Sequence, residues 1–364
     1  MTLWSPGQLD RDAVTYIAGH RGLVGSAVWQ HLQAEGFTRL VGQTSQELNL
    51  TEREAVRAFM KATRPKYLVL AAALVGGIQA NSTHPVDFIS NNLRIQTNVL
   101  DAALENEVER VLFLGSSCIY PAHAPQPIKE EYLLTGHLEP TNDAYAIAKI
   151  AGILHVQSVR RQYGLPWISA MPTNLYGPND NFNLAGSHVL PALVRRYCDA
   201  VEAGAGSLTN WGTGRPRREF LHTSDMARAC LHLLENYDGM SQVNVGSGKD
   251  LTIAELAALV GDVTGFSGQV VWDANLADRG SGSNSCLVPR APHSGSPMTT
   301  QADRRNNWRL ETFRATGYDR GRPFLVQAAW HLVSPVLMWV FVPSAWRCAI
   351  LRFLGADIGE GVLL

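Results

Sequence analysis

The sequence predicts an α/β protein: a doubly wound parallel sheet of the Rossmann type, a smaller α/β domain after it, and an atypical apolar C-terminal tail. Three observations predict this. Short, wholly apolar runs alternate with helical stretches through the first half, as in parallel sheets covered on both faces. A glycine triplet, Gly19, Gly22 and Gly25, stands between the first such run and the first helical stretch. After Asp273 the texture of the chain changes abruptly.

In order, residues 13–18 read as a buried strand and 23–35 as the helix that follows it. The second strand ends near residues 41–44. Residues 67–72 and 111–114 are further strands, 144–163 are helical, and 167–171 form another strand. Shorter units follow from Pro178: a helix over 225–236, a strand over 242–246, a helix over 252–264 and a last strand over 269–272. Thr252 and Glu255 make a T-x-x-E capping box at the start of the last helix. Residues 1–177 are thus mainly a dinucleotide-binding domain and 178–275 mainly a second, smaller domain. Residues 276–305 read as a linker, since 280–300 are rich in Gly, Ser and Pro without apolar periodicity. Residues 306–364 are the tail.

A chain of 364 residues accommodates two small domains, and 46% hydrophobic with 17% charged residues is a globular composition. The net charge of −1 does not favour polyanions, so no nucleic-acid partner is expected and any anionic ligand is held by local donors. The five cysteines, Cys118, Cys198, Cys230, Cys286 and Cys348, form no C-x-x-C pair. That argues against a disulfide framework or a metal site and for a reducing cytoplasm. The N-terminus lacks a signal-peptide pattern. Residues 324–354 are unusually apolar but carry His331, Pro335, Pro343, Arg347 and Arg352, which makes them a poor membrane span and leaves membrane contact of the tail open.

The glycines have a mechanical reading. In G-x-x-G-x-x-G after a strand, the first glycine makes the tight turn, the second admits a pyrophosphate, and the third lets helix and strand pack closely. The helix N-terminus then offers free N–H groups to phosphates. Gly19, His20, Arg21, Gly22, Leu23, Val24 and Gly25 are therefore the candidate cofactor turn, against the alternative of a merely structural turn. Gln43 and Ser45 stand at the end of the second strand, where an acid would bind ribose hydroxyls. The missing acid and the nearby Arg21 favour NADP over NAD, unless Arg21 is only a solvated loop residue.

Tyr145 and Lys149 are four residues apart and share a helix face. A neighbouring ammonium lowers a phenol's pKa, which suits the pair to carbonyl reduction. Ser116 follows an apolar strand, where strand ends line such sites, and is placed to bond a substrate oxygen. Cys118 and His188 can exchange protons with a ring. Equally, Cys118 can be a small core residue and His188 a helix cap. Arg218, within Arg215-Pro216-Arg217-Arg218, is a diphosphate clamp or part of a solvated loop.

Taken together, these residues resemble the GDP-L-fucose synthases of the extended short-chain dehydrogenase/reductase superfamily. The words that carry the resemblance are Gly19-His20-Arg21-Gly22, Ala71-Ala72-Ala73-Leu74-Val75-Gly76-Gly77-Ile78, Gly115-Ser116-Ser117-Cys118-Ile119-Tyr120-Pro121, Glu139-Pro140-Thr141-Asn142, Tyr145-Ala146-Ile147-Ala148-Lys149 and Met171-Pro172-Thr173-Asn174-Leu175-Tyr176-Gly177-Pro178. The resemblance implies conversion of GDP-4-dehydro-6-deoxy-D-mannose to GDP-L-fucose by epimerisation at C3 and C5 and reduction at C4 with NADP(H). It implies Ser116, Tyr145 and Lys149 for the reduction, with Cys118 and His188 as base and acid for the epimerisations. Tyr145, Lys149, Pro172, Asn174, Leu175 and His188 would join the cofactor turn in holding the dinucleotide, Lys149 by a hydrogen bond to the nicotinamide ribose. Arg196, Trp211 and Arg218 would contact the GDP-sugar in residues 178–275. A homodimer is the further implication.

Two departures stand out. Family members often carry arginines where this chain has Gln43 and Ser45. After Asp273 the family's Lys-containing segment and final helix are not recognisable. Residues 324–364 are instead similar to the lead-in of hexapeptide-repeat acyltransferases, with Ile358-Gly359-Glu360-Gly361-Val362 like one first coil. A single coil cannot bury its own apolar face, so no acyltransferase activity is expected. A frameshift or fusion that replaced the reductase's C-terminus accounts for this. The rival readings are a related nucleotide-sugar epimerase or dehydratase that recycles NAD, a cofactor-binding remnant and a tail-anchored protein.

Overall fold

The computed structural model describes residues 6–274 except 185. The expected linker, tail, apolar run and acyltransferase-like coil lie outside the described residues. In chain order, β1 (Thr15–Ala18) leads through the glycine turn into α1 (Leu23–Ala34), β2 (Leu40–Val41), α2 (Arg53–Thr63) and β3 (Tyr67–Leu70). A short α3 (Ile78–Thr83), α4 (Pro85–Glu105), β4 (Arg110–Leu114), α5 (Asp143–Tyr163) and β5 (Ile168–Pro172) follow. Then come β6 (Asn174–Tyr176), α6 (Val189–Glu202), β7 (Ser207–Trp211), β8 (Arg217–His222) and α7 (Thr223–Asn236). The described part closes with β9 (Val243–Val245), β10 (Asp250–Thr252), α8 (Ile253–Thr264) and β11 (Gln269–Asp273).

Six strands form one parallel sheet in the order β2-β1-β3-β4-β5-β9. Its central strands β1, β3, β4 and β5 are buried on both faces, which explains their largely apolar runs. Tyr16, Ala18, Leu68, Leu70, Val111 and Phe113 face the core shared with α2, α4 and α5. Ile17, Val69, Leu112 and Leu114 face the opposite core, with α1 and α7. Each such aliphatic side chain contributes about 1.5–3 kcal/mol of hydrophobic stabilisation when fully buried. Strand order reverses between β1 and β3, and the crevice at such a switch point is where open α/β sheets bind ligands.

A three-stranded sheet, β10-β8-β6, and a two-stranded one, β11-β7, build the smaller unit. Leu193 and Tyr197 of α6 and Leu256, Ala257 and Val260 of α8 form its core. The Thr252–Glu255 capping box is present, with Glu255 N–H donating to Thr252 Oγ at 3.0 Å and Thr252 N–H to the Glu255 carboxylate at 2.7 Å. Among the described residues no helix is long and apolar enough to cross a membrane. No group of His, Cys, Asp and Glu among them could hold a metal.

Glu219 of β8 ties the two units together. Its side chain is fully buried, and Oε1 accepts from Gly248 N–H at 2.6 Å and Ser247 Oγ at 3.3 Å. Its main-chain oxygen accepts from Asn174 Nδ2 at 3.0 Å. These bonds fix the chain where it crosses from β9 to β10 and from β5 to β6. Burial pushes the Glu219 carboxyl up to about 7, against the pull of those donors. Such a group binds its proton more tightly in the folded state. Its contribution is therefore fully present below the unfolded carboxyl pKa and is lost as pH rises through about 7. Thermal unfolding between about pH 5 and 8 should show this loss in wild type and much less of it in Glu219→Gln. Parallel profiles for the two proteins would refute the assignment.

Candidate active site

The glycine turn sits at the strand-order reversal. Gly19 has φ +85, and a Cβ there would lie 2.9 Å from Ala72 N at the end of β3. A Cβ on Gly25 would lie 2.1 Å from Gly19 O, so the third glycine seats α1 on the turn itself. Gly22 differs. Its nearest neighbour would be Gly19 O at 3.4 Å, an ordinary contact. Nothing within the protein demands glycine at that position, as expected where a ligand's phosphates take the space. Gly22 is also the N-cap of α1 and makes no side-chain cap bond, which leaves the first-turn amides of Leu23, Val24 and Gly25 to a ligand. Beside them, His20 Nδ1 is buried without a protein partner. This cradle fits a dinucleotide. Gly25→Ala should destabilise the fold by about 1–3 kcal/mol through overpacking and abolish dinucleotide binding. Denaturant unfolding and cofactor fluorescence would check it, and a variant with wild-type affinity would contradict it.

The rim of the cradle carries detail that the sequence reading missed. The His20 ring packs on Trp29 at 5.4 Å and closes on Gly42, where a Cβ would approach the ring to 2.4 Å. Arg21 is exposed near Glu47. Glu47 accepts from Thr44 N–H and Oγ, each at 2.8 Å. Those bonds first, and Arg21's charge after them, hold its carboxyl below the ordinary range. The nearest acid after β2 is thus already engaged by Thr44.

At the end of β4, Ser116, Cys118, Tyr145 and Lys149 come together. Ser116 caps the single turn Ser117–Ile119, and its Oγ accepts from Cys118 N–H at 3.5 Å. Lys149, 4% exposed, donates to Leu114 O at 2.8 Å and lies 5.0 Å from the Phe113 ring centroid and 5.7 Å from that of Tyr145. Burial pulls Lys149 down to about 8. Burial pushes the Cys118 thiol up to about 11, with Ser116 and Lys149 acting in the opposite direction. Tyr145 is half-buried, and the protein around its hydroxyl raises its pKa, with Cys118 adding to the rise. The expectation that Lys149 lowers the Tyr145 pKa is therefore corrected. The ammonium is turned to the Leu114 carbonyl, and desolvation decides the sign.

His188 is the N-cap of α6 but makes no side-chain cap bond. Its side chain is exposed, yet desolvation by surrounding protein lowers its pKa. Pro172 ends β5 beside Val245, and Asn174 and Leu175 follow on β6, beside Phe220 and Leu221. On the smaller unit, Arg196 bonds the Thr209 carbonyl and stacks 5.8 Å from the ring of Trp211, which is 61% exposed. Arg218 lies on β8 opposite Leu251, in a different sheet from Trp211, and donates to Arg217 O at 2.8 Å. Arg196 and Trp211 are thus in direct contact with each other.

Comparison with known proteins agrees with this geometry. A family model, the NAD dependent epimerase/dehydratase family, matches residues 15–246. GDP-L-fucose synthase 1 of Arabidopsis thaliana is 57% identical over 269 residues, covering 74% of this chain and 83% of that protein. GDP-L-fucose synthase of Escherichia coli (strain K12) is 52% identical over 272 residues, covering 72% and 85%. Among solved structures, a GDP-L-fucose synthetase from Naegleria fowleri bound to NADP superposes with a TM-score of 0.69 at 30% identity, covering 75% of this chain and 84% of that one.

Proposed function

The chain belongs to the NAD dependent epimerase/dehydratase family, among the GDP-L-fucose synthases, and on that premise we infer that it converts GDP-4-dehydro-6-deoxy-D-mannose to GDP-L-fucose with NADPH. The observation that carries this reading is the buried Cys118 thiol, set behind one strand end within electrostatic reach of both Tyr145 and Lys149. A plain ketone reductase has use for a tyrosine and a lysine there. A thiol beside them adds a group that can move a proton at carbon.

The roles follow from chemistry. Gly19 to Gly25 hold the pyrophosphate, Arg21 the 2′-phosphate, and Pro172, Asn174, Leu175 and His188 the nicotinamide side. When bound, NADPH supplies the hydride that reduces the C4 ketone. Ser116 and Tyr145 bond the C4 oxygen, and Tyr145 gives it a proton. The same bonds stabilise the enolate formed when a proton leaves C3 or C5. Cys118 takes that proton and His188 returns one to the ring. Arg196, Trp211 and Arg218 hold the GDP moiety by guanidinium–phosphate bonds and stacking.

The test is NADPH oxidation with GDP-4-dehydro-6-deoxy-D-mannose. Stoichiometric oxidation with GDP-L-fucose as product is expected, whereas an epimerase that recycles its cofactor gives no net oxidation. A cytoplasmic location is proposed on the buried, reduced thiols of Cys118 and Cys230. A homodimer through α4 and α5 is also proposed. Its support is that α5 leaves Ile147 43% and Leu154 38% exposed, seven positions apart on one face. Leu154→Glu should yield a monomer by light scattering, and an unchanged mass would count against this face.

A further inference from the structure

The loop after β3 is held by two buried asparagines to which the chemistry above assigns no part. Asn92 of α4 is 2% exposed. Its Oδ1 accepts from Leu74 N–H at 2.8 Å, and its Nδ2 donates to Leu74 O at 3.0 Å and Phe88 O at 2.8 Å. Asn81 of α3 is 6% exposed, and its Nδ2 donates to Gly76 O at 2.8 Å and Gly77 O at 3.1 Å. Burying an amide is costly unless it is bonded. Asn92 is bonded at both its oxygen and its nitrogen, and Asn81 through its nitrogen alone, its Oδ1 being buried without a partner. Both nitrogens are thus committed to backbone carbonyls of the loop and α4.

The far end of the loop lies between two catalytic candidates. Gly76 lies on Phe88, where a Cβ would come within 2.9 Å of the ring, and Phe88 meets Tyr145 edge-on at 6.3 Å. Gly77 N–H donates to Gly186 O at 3.0 Å, and a Cβ on Gly77 would lie 2.5 Å from Ser187 O, one residue before His188. At its start, the Ala72 backbone bears on Gly19. No side chain can be inserted at either glycine without moving a neighbour, so the loop acts as a spacer of fixed thickness.

We propose that Asn92 and Asn81 are positioning residues that lock residues 74–77 as the spacer between Tyr145 and the segment carrying His188, and thereby set the reach of His188 to the sugar ring. The sugar chemistry in this statement rests on the function proposed above; the clamp does not.

The experiment uses Asn92→Ser and Asn81→Ala in the full chain. Hydrogen exchange at the Leu74 and Gly77 amides should quicken in both. The His188 ring, followed by NMR, should titrate closer to an ordinary histidine, because loosening the segment hydrates it. NADPH affinity should fall much less than the sugar chemistry, since the pyrophosphate cradle is untouched and only the nicotinamide-side contact assigned to His188 is loosened. Solvent deuterium incorporation into the keto sugar should fall ~10–100-fold, the effect of misplacing a reacting group by about 1 Å. Wild-type His188 titration in both variants, with faster loop exchange, overturns the proposal. So does parallel loss of NADPH affinity, which marks general damage. If wild-type protein incorporates no deuterium into this sugar, the proposed function fails and the His188 titration still decides the clamp.

Discussion

Tyr145→Phe is expected to lower NADPH oxidation with the keto sugar by ~10²–10⁴-fold, the range over which general acid catalysis contributes. Only one oxygen is removed. The ring keeps its edge contact with Phe88, so fold and NADPH affinity should be preserved. The raised pKa of Tyr145 keeps the hydroxyl protonated through the working range, which is the form a donor to the developing C4 alkoxide requires. Lys149 adds a positive charge close to the ring but is itself drawn down to about 8 by burial. The reduction should therefore decline as pH rises through about 8, when Lys149 loses its proton and its charge. Stopped-flow reduction across pH would show both effects. If Tyr145→Phe retained more than about a tenth of the wild-type rate, the proton would have to come from elsewhere.

The second large effect is expected at Cys118. Cys118→Ser should slow deuterium incorporation at C3 and C5 by ~10²–10⁴-fold, while NADP reduction in the reverse direction with GDP-L-fucose persists. The substitution is nearly isosteric, so the buried turn Ser117–Ile119 keeps its shape. Serine loses because its hydroxyl is a far weaker acid than a thiol and supplies almost no anion. Even the thiol is held up near 11 by burial, with Ser116 and the Lys149 charge as the groups that favour thiolate. Deuterium incorporation should accordingly climb with pH until Lys149 begins to lose its charge. Wild-type exchange in Cys118→Ser would remove the thiol from the mechanism and leave a plain ketone reductase.

Much of this site could be read before any fold was known, because its signals are local. A strand, a glycine turn and a helix N-terminus lie within a dozen residues, and near neighbours suffice to specify them. The 144–163 helix, the capping box at Thr252 and the strands of the large sheet were legible for the same reason. The elements that were missed lack a clean local signal. In α4, Asn92, Gln96 and Asn98 are polar yet buried, so the apolar period is broken where the helix packs most deeply. In β7 most residues are exposed, and no apolar alternation marks the strand.

The sequence by itself determined the family and the candidate residues: the cofactor turn, the Tyr145/Lys149 pair, and Cys118 and His188, whose proposed roles come from the family resemblance. Only the tertiary structure decided which of these meet, and in what electrostatic state. It placed Lys149 on the Leu114 carbonyl, paired Arg196 with Trp211, and set a clamped loop between Tyr145 and the His188 segment. The physical reason is range. Turns and caps are set by atoms a few residues apart, whereas desolvation and contact are set by segments that sequence separates and packing brings together.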